Sequence, residues 1–225
     1  DQARRLNEWN ADELIYIDIS REETYDLGRD DLRVNSMDNI ETIISEIGKI
    51  CFMPLTFGGG IRNQNDAIMM VRSGADKVTL NTLLHENKNS VKSIISILGS
   101  QAVVGSIDYL IEENEAFVVK LNGTKKTKKS LLDFVAYIED MGVGEIFLQN
   151  INFDGKARGY DIETIEKVVE KASIPVIACS GAGKPDHCME IAKIDKLSAI
   201  AAGNYFNFKE LSYPNVKKEL KENSF

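Results

Sequence analysis

The sequence predicts an α/β fold, a (β/α)8 TIM barrel assembled from two (βα)4 half-repeats, and three features carry the prediction. Short apolar runs alternate with longer amphipathic stretches, the pattern of a parallel sheet in which each strand is followed by a helix. Two glycine-bearing turns stand at matching places in the two halves. They are Pro54-Leu-Thr-Phe-Gly58-Gly59-Gly60-Ile61 and Pro175-Val-Ile-Ala-Cys179-Ser180-Gly181-Ala182-Gly183, roughly 120 residues apart. A second near-repeat comes before each turn: Asp12-Glu13-Leu-Ile-Tyr-Ile-Asp18-Ile19 resembles Gly144-Glu145-Ile-Phe-Leu-Gln-Asn150-Ile151.

The elements follow in order. Asp1-Gln2-Ala3-Arg4-Arg5-Leu6 reads as a helix leading into a strand at Leu14–Ile19. Further strands are predicted at Met53–Phe57, Lys77–Leu80, Ala102–Ile107, Glu145–Gln149, Pro175–Cys179 and Leu197–Ala201, with helices between them, for example Asn65–Ser73 and Leu131–Met141. The extended segment Ala116–Leu121 and the lysine run Lys125-Lys126-Thr-Lys128-Lys129 read as a β-hairpin inserted after the fifth strand, a candidate lid. Seven strands are found where two (βα)4 halves require eight. Because the chain opens on a helix, the absent strand is expected upstream of Asp1. The alternative is a genuine seven-strand barrel, which leaves edges unpaired.

At 225 residues the chain suits one barrel domain, 1–225, with a sizeable core. A formal net charge of −8 argues against a general nucleic-acid binder, which needs a basic face. Acidic balance leaves phosphate ligands open, since backbone amides bind them without excess Lys or Arg. Cys51, Cys179 and Cys188 have neither metal-ligand spacing nor the count of a secreted disulfide scaffold, so reduced core thiols are expected. No apolar run approaches about 18 residues, which gives no membrane span and a cytoplasmic expectation.

In such a barrel, functional residues sit at the C-terminal ends of strands and in the loops that follow. A glycine turn between strand and helix exposes backbone N–H groups and suits a phosphate; two of them suit a substrate with a phosphate at each end. Asp108 ends the run Ala102-Val-Val-Gly-Ser-Ile and is placed to act as general acid or base; a helix N-cap or a loop salt bridge is the alternative. Asp18 has the same geometry. Asp154-Gly155 lies in a loop whose glycines suit backbone contact with a ligand, with a plain Asp-Gly turn as the competing reading. His85 and His187 stand alone and read as surface or capping residues. At the opposite ends of even-numbered strands lie Glu13, Lys77 and Glu145. Alternate strands share a layer inside a barrel, so these three can form a paired charged ring at the floor; three solvated residues are the alternative.

These residues resemble a known family over essentially the whole chain: HisF, the cyclase subunit of imidazole glycerol phosphate synthase. Matching segments include Ala11-Asp-Glu-Leu with Asp18, Leu55-Thr-Phe-Gly-Gly-Gly-Ile-Arg62, Gly74-Ala-Asp-Lys-Val-Thr-Leu-Asn-Thr82, Ile107-Asp108, Gly144-Glu-Ile, Asp154-Gly155 and Gly181-Ala-Gly183. The resemblance implies ammonia passing through the barrel floor from a glutaminase partner, HisH. It would react at the top with a bis-phosphorylated ribulosyl aminoimidazole carboxamide, giving imidazole glycerol phosphate and an aminoimidazole ribotide. Of the family's two catalytic aspartates one is matched by Asp108, and the other lies on the first strand. Phosphate contacts carry over to Gly60, Asn81 and Thr82 at one end and to Gly155, Gly181, Ala202 and Gly203 at the other. Glu13, Lys77 and Glu145 match the family's ammonia gate, whose fourth member is an Arg on the first strand, and Asp76 matches a glutaminase-interface residue. No metal or organic cofactor is indicated.

Some positions depart from the histidine-pathway pattern. Gln149-Asn150 stands where the family often has Thr-Ser, and Cys179-Ser180-Gly181 replaces Ser-Gly-Gly. With Cys51-Phe-Met-Pro54 and Leu211-Ser-Tyr-Pro214, these resemble the HisF-like paralogues of the WbuZ type, which accompany sugar amidotransferases in amidation or amidination of bacterial surface sugars. A conduit subunit that passes ammonia onward without chemistry of its own is a further reading. The related isomerase HisA has no need for a floor gate, so Glu13, Lys77 and Glu145 argue against it.

Overall fold

The computed structural model describes residues 2–18, 40–113, 115–121 and 123–223. In chain order the strands are β1 (Leu14–Ile17), β2 (Leu55–Gly58), β3 (Lys77–Leu80), β4 (Val103–Glu112), β5 (Glu115–Lys120), β6 (Lys125–Ser130), β7 (Glu145–Asn150), β8 (Val176–Cys179) and β9 (Ala199–Ile200). The helices are α1 (Gln2–Glu8), α2 (Ile40–Ile50), α3 (Gln64–Arg72), α4 (Thr82–Glu86), α5 (Lys88–Leu98), α6 (Leu131–Met141), α7 (Ile162–Lys171), α8 (Pro185–Ile191), α9 (Asn204–Phe208) and α10 (Ser212–Glu222). Seven strands form one parallel sheet in the order β1-β2-β3-β4-β7-β8-β9, so neighbours in sequence are neighbours in space apart from the inserted β5–β6 hairpin.

Burial divides the two faces of this sheet. Its outer face packs under the helices in a large core that includes Phe57, Leu80, Ile107, Ile146 and Ala178 with Ile44, Ile94, Phe134 and Val168. Its inner face forms a smaller cluster of Val104, Phe147 and Ile177, against which Ile15, Cys179 and Ala201 pack. That second cluster joins β1 to β7, β8 and β9, so the sheet is curled and its inner face looks across a lumen. This is the (β/α)8 architecture in its layers and strand alternation.

The curled sheet ends at β1 on one side and β9 on the other. A cavity of about 1140 Å³ lies along these two strands, lined by Ile15, Ile17, Ile177 and Ala199 and by the inner sides of α1 and α10 at Leu6 and Val216. Ile17, an apolar strand residue on this cavity, is 37% exposed.

Most predicted elements shift by one or two residues at an end, and the differences that matter are at β4 and β9. β4 runs on past Asp108 to Glu112 because its second half pairs antiparallel with β5, Asp108 lying opposite Val119; Asp108 therefore lies within a strand and not at its last residue. β9 is shorter than Leu197–Ala201, as its neighbour β8 pairs with only Ala199 and Ile200. Ile19, the last residue of the predicted second strand, and Asp1, the first of the predicted opening helix, lie outside the described residues. By contrast β3 and α6 have the predicted bounds. In α6 the Ser130 hydroxyl accepts from the Asp133 N–H at its start, and Gly142 closes its end in the left-handed region at φ +93°. The lysine run is β6, and it is exposed as expected, with Lys126 over the Phe117 ring and Lys129 over the Tyr137 ring.

Candidate active site

The two glycine turns use a similar steric device, one position out of step between the halves. In the first half Gly59 adopts φ +96°, and a Cβ there would come within 2.0 Å of the Asp18 carbonyl oxygen. In the second half Gly181 adopts φ +99°, and a Cβ would meet the Gly159 carbonyl oxygen at 1.9 Å. Each turn is thus pressed onto the loop that follows the preceding strand, β1 or β7. Beyond Gly59, the Gly60 α-carbon faces open space. After this turn α3 begins under a capping box, with Asn63 accepting from the Asp66 N–H and the Asp66 carboxylate accepting from the Asn63 N–H.

Asp108 sits in the mouth between the halves. Register places it opposite Gln149 of β7, and Gln149 opposite Cys179 of β8, so one tier of the upper lumen carries a carboxyl, an amide and a thiol. The Asp108 carboxylate is mostly enclosed, and burial pushes it up to about 6; the Asp154 charge adds to the rise, while a hydrogen bond from the Asn81 side chain works against it. That value suits proton transfer in either direction near neutral pH. Asn81 thereby joins Asp108 to the end of β3, and Thr82 opens α4 beside it. In the same tier, burial foremost and then the Asp154 charge push the Cys179 thiol up to about 12, so it is a neutral wall residue.

On the other side, Asp154, Gly155, Gly181, Ala202 and Gly203 come together around a recess of about 300 Å³. It opens into the larger cavity, with which it shares Asp154, Ala202, Gly203 and Asn204. The loop carrying Asp154-Gly155 is fixed by a polar network that sequence reasoning missed. The Tyr109 hydroxyl donates to Asp161 Oδ2 at 2.9 Å, and Asn150 Nδ2 donates to the same oxygen at 3.2 Å. Asp161 also caps α7 by accepting from the Thr164 N–H. The Tyr160 hydroxyl donates to the Ala201 carbonyl at 2.9 Å, tying the loop to the end of β9. No local pattern reveals these partners, which lie up to 52 residues apart in the chain.

At the floor, Lys77 Nζ lies 2.8 Å from Glu145 Oε2 and 3.2 Å from Glu13 Oε2. The charged ring therefore forms, spanning β1, β3 and β7 across the lumen. Thr56, the register partner of Lys77 on β2, donates its hydroxyl to Glu13 and is a fourth member; its signal was a lone hydroxyl inside the apolar run Leu55-Thr-Phe. Burial works against the Lys77 charge, but its two carboxylate partners more than offset that and raise its pKa. Asp76 is exposed beside this floor, and its carboxylate accepts the Leu55 N–H at 2.8 Å.

The two histidines are more enclosed than a surface or capping role requires. His85 stacks on Phe134 at 4.3 Å with its Nε2 buried and unpaired, and burial, with Lys120 next, holds its pKa down to about 4. His187 likewise buries its Nδ1. Both are half-buried, His85 with its ring on Phe134 and His187 beside the Gly159 loop. All three cysteines are free. Among the described residues, no group of three or more His, Cys, Asp or Glu is placed to hold a metal ion, and no helix is long and apolar enough to cross a membrane.

Comparison with known proteins agrees with this architecture. The family described as "Histidine biosynthesis protein" matches residues 1–212. Among curated relatives, the chain is 34% identical to imidazole glycerol phosphate synthase subunit HisF of Saccharolobus solfataricus, over 98% of this chain and 83% of that protein. It is 33% identical to the HisF subunit of Hydrogenobaculum sp., over 100% and 85%, and 34% identical to that of Staphylococcus saprophyticus, over 98% and 84%. A curled parallel sheet with paired glycine turns, matched over nearly its whole length to HisF proteins, places this chain in the histidine biosynthesis protein family, on its HisF branch.

Proposed function

We propose that the chain is the cyclase-type lyase subunit of a glutamine amidotransferase complex, an imidazole glycerol phosphate synthase. The single observation that carries this is the position of Asp108: a carboxyl poised near pH 6, in the mouth between two glycine turns, above a floor of paired charges. Gly60, Asn81 and Thr82 take one phosphate of the substrate, and Gly155, Gly181, Ala202 and Gly203 take the other. Asp18 and Asp154 border those ends. Asp108 gives and takes protons as ammonia adds to the substrate and the ring closes.

Ammonia enters at the floor. Glu13, Lys77 and Glu145 gate that entry, and a HisH-like glutaminase docks on the face that carries Asp76. The gap between β1 and β9 is the seat of an eighth parallel strand, bringing the second aspartate and the arginine that the family resemblance implies. A cytoplasmic location follows from the same reading. Asp108→Asn tests it, with product measured from ammonium chloride and, separately, from glutamine plus the glutaminase. Lost product with glutaminase stimulation intact supports catalysis here; unchanged product makes the chain a conduit.

A second reading is favoured by Gln149 and Cys179, which share the Asp108 tier where the resemblance leads one to expect Thr and Ser. An amide there alters what the mouth can recognise, and the acceptor becomes a surface-sugar derivative whose amidation uses the same ammonia route, with a sugar amidotransferase as partner. Failure of the imidazole-pathway substrate to turn over, with ammonia transfer to a sugar acceptor intact, would select it.

A further inference from the structure

Two polar side chains stand on the buried outer face of the sheet, in line with the core residues Ile107 and Leu148. Tyr109 of β4 and Asn150 of β7 are register partners, each 1% exposed, directly after the pair Asp108 and Gln149. An apolar residue at either place would fill the sheet without a polar group to desolvate. Here the polar groups are paired instead. The Tyr109 hydroxyl and Asn150 Nδ2 both donate to Asp161 Oδ2, at 2.9 and 3.2 Å, and the Asn150 amide also reaches the Tyr109 hydroxyl. Asn150 Oδ1 accepts the Asn152 N–H at 2.9 Å, and Asn152 Oδ1 accepts the Ile111 N–H of β4 at 2.7 Å. A buried network satisfied in this way rigidifies what it joins.

It joins β4 to the root of the loop after β7. The Asn150 carbonyl accepts the N–H groups of both Phe153 and Asp154, at 3.2 and 3.1 Å, and the Ile151 N–H donates to the Tyr109 carbonyl at 2.9 Å. At the far end Asp161 accepts the Thr164 N–H to start α7, and the Gly159 N–H donates to the Gly181 carbonyl at 2.9 Å. Between these anchors residues 154–158 are exposed. Asp154 nevertheless lines the cavity together with Gln149 and Cys179, which share the Asp108 tier. Among the described residues, the titratable groups coupled to Asp108 are Asp154 on this loop and the Cys179 thiol of β8, and Asn81 at the end of β3 donates to it. Burial comes first in raising Asp108 and Cys179, and the Asp154 charge adds to both. A carboxylate on a free loop would spread that charge over many positions; one hung on a clamped root keeps it directed.

We propose that Asn150 and Tyr109 are positioning residues for Asp154: through Asp161 they clamp the root of its loop to β4, which aims the Asp154 carboxylate at Asp108. Asp108 is thus tuned by a device built one residue further along its own strand. Asn150 stands where the family resemblance leads one to expect Ser, whose shorter side chain does not span from Asp161 to the Asn152 N–H, so the device belongs to this chain. Its effect on turnover rests on the reading of Asp108 as the proton-transfer group.

The test follows the Asp108 side-chain carboxyl of the full chain by NMR, with labelled aspartate and no substrate, as pH is raised through its titration. Asp154→Asn should lower the Asp108 midpoint by about half a unit, the size of one solvent-exposed charge acting across the mouth. Tyr109→Phe and Asn150→Ser loosen the clamp without touching either carboxylate, and each should lower the midpoint by about 0.2 unit or more. In the Asp154→Asn background Tyr109→Phe should move it no further, because the charge being aimed is gone. That non-additivity separates positioning from loosened packing, which acts with or without Asp154. A midpoint that stays at the wild-type value in both folded clamp variants overturns the proposal. So does an equal shift with and without the Asp154 charge, or a midpoint that Asp154→Asn leaves unmoved. Wild-type protein that shows the expected titrations but turns over no imidazole-pathway substrate removes the cyclase reading and leaves the clamp standing.

Discussion

Replacing Asp108 by Asn should make the protein inactive and more stable, and the structure sets the size and pH dependence of that gain. Burial and the Asp154 charge raise the Asp108 carboxyl from its ordinary 3.8 to about 6 in the folded state. The native state then holds this proton more tightly than the unfolded chain does. Native stability therefore falls as pH rises from about 4 to about 6, and the whole penalty is present above that. At about 1.4 kcal/mol per pH unit, the penalty amounts to ~3 kcal/mol. An asparagine has the same shape, carries no charge at any pH, and still offers Asn81 a carbonyl acceptor. Urea unfolding of wild type and Asp108→Asn, at intervals from pH 3.5 to 8, reads the difference directly. The variant should be about 2–3 kcal/mol more stable at pH 7.5, and the gap should close toward zero near pH 4. A gap that does not change with pH, or a variant less stable than wild type at pH 7.5, would refute the reasoning.

Three further perturbations probe the frame around that carboxyl. Lys77→Met leaves Glu13 and Glu145 facing each other with side chains still about a quarter exposed (24% each), so the loss should be ~1.5–3 kcal/mol, less than for a fully buried pair; adding Glu13→Gln and Glu145→Gln should restore most of it in the same urea assay. In wild type the Lys77 contribution is full at neutral pH and lost only as pH rises through its raised pKa, above 10.5, which an alkaline unfolding series follows. Gly181→Ala forces a Cβ to within 1.9 Å of the Gly159 carbonyl at φ +99°, and should cost ~2–4 kcal/mol while weakening phosphate binding read at Gly203. Tyr109→Phe removes one of the two donors that hold Asp161 Oδ2 and should cost ~1–2 kcal/mol, with faster amide exchange through residues 152–158.

The barrel was legible because its signals are local. A buried parallel strand reads as a short apolar run, and each run here is followed by a turn and an amphipathic stretch; β3 and α6 were bounded to the residue, α6 by a serine cap and a closing glycine. β4 was cut short because its extension is held by a hairpin partner, which a strand run alone does not reveal. The floor ring was legible from strand alternation, since Glu13, Lys77 and Glu145 recur at strand starts, but Thr56 joins it through a side-chain contact across strands. The same limit hid the Tyr109–Asp161–Asn150 network and the burial of His85, which depend on which surfaces meet. Ser180 shows the opposite case: its place after Cys179 was visible in the sequence, but its left-handed backbone at φ +88° was not.

The most direct test of the account is turnover of the bis-phosphorylated ribulosyl aminoimidazole carboxamide by the full-length protein with ammonium chloride, which bypasses any glutaminase. The account predicts imidazole glycerol phosphate from wild type and none from Asp108→Asn. Folded wild-type protein that binds phosphate but forms no product, or an Asp108→Asn variant that forms it as wild type does, would contradict it.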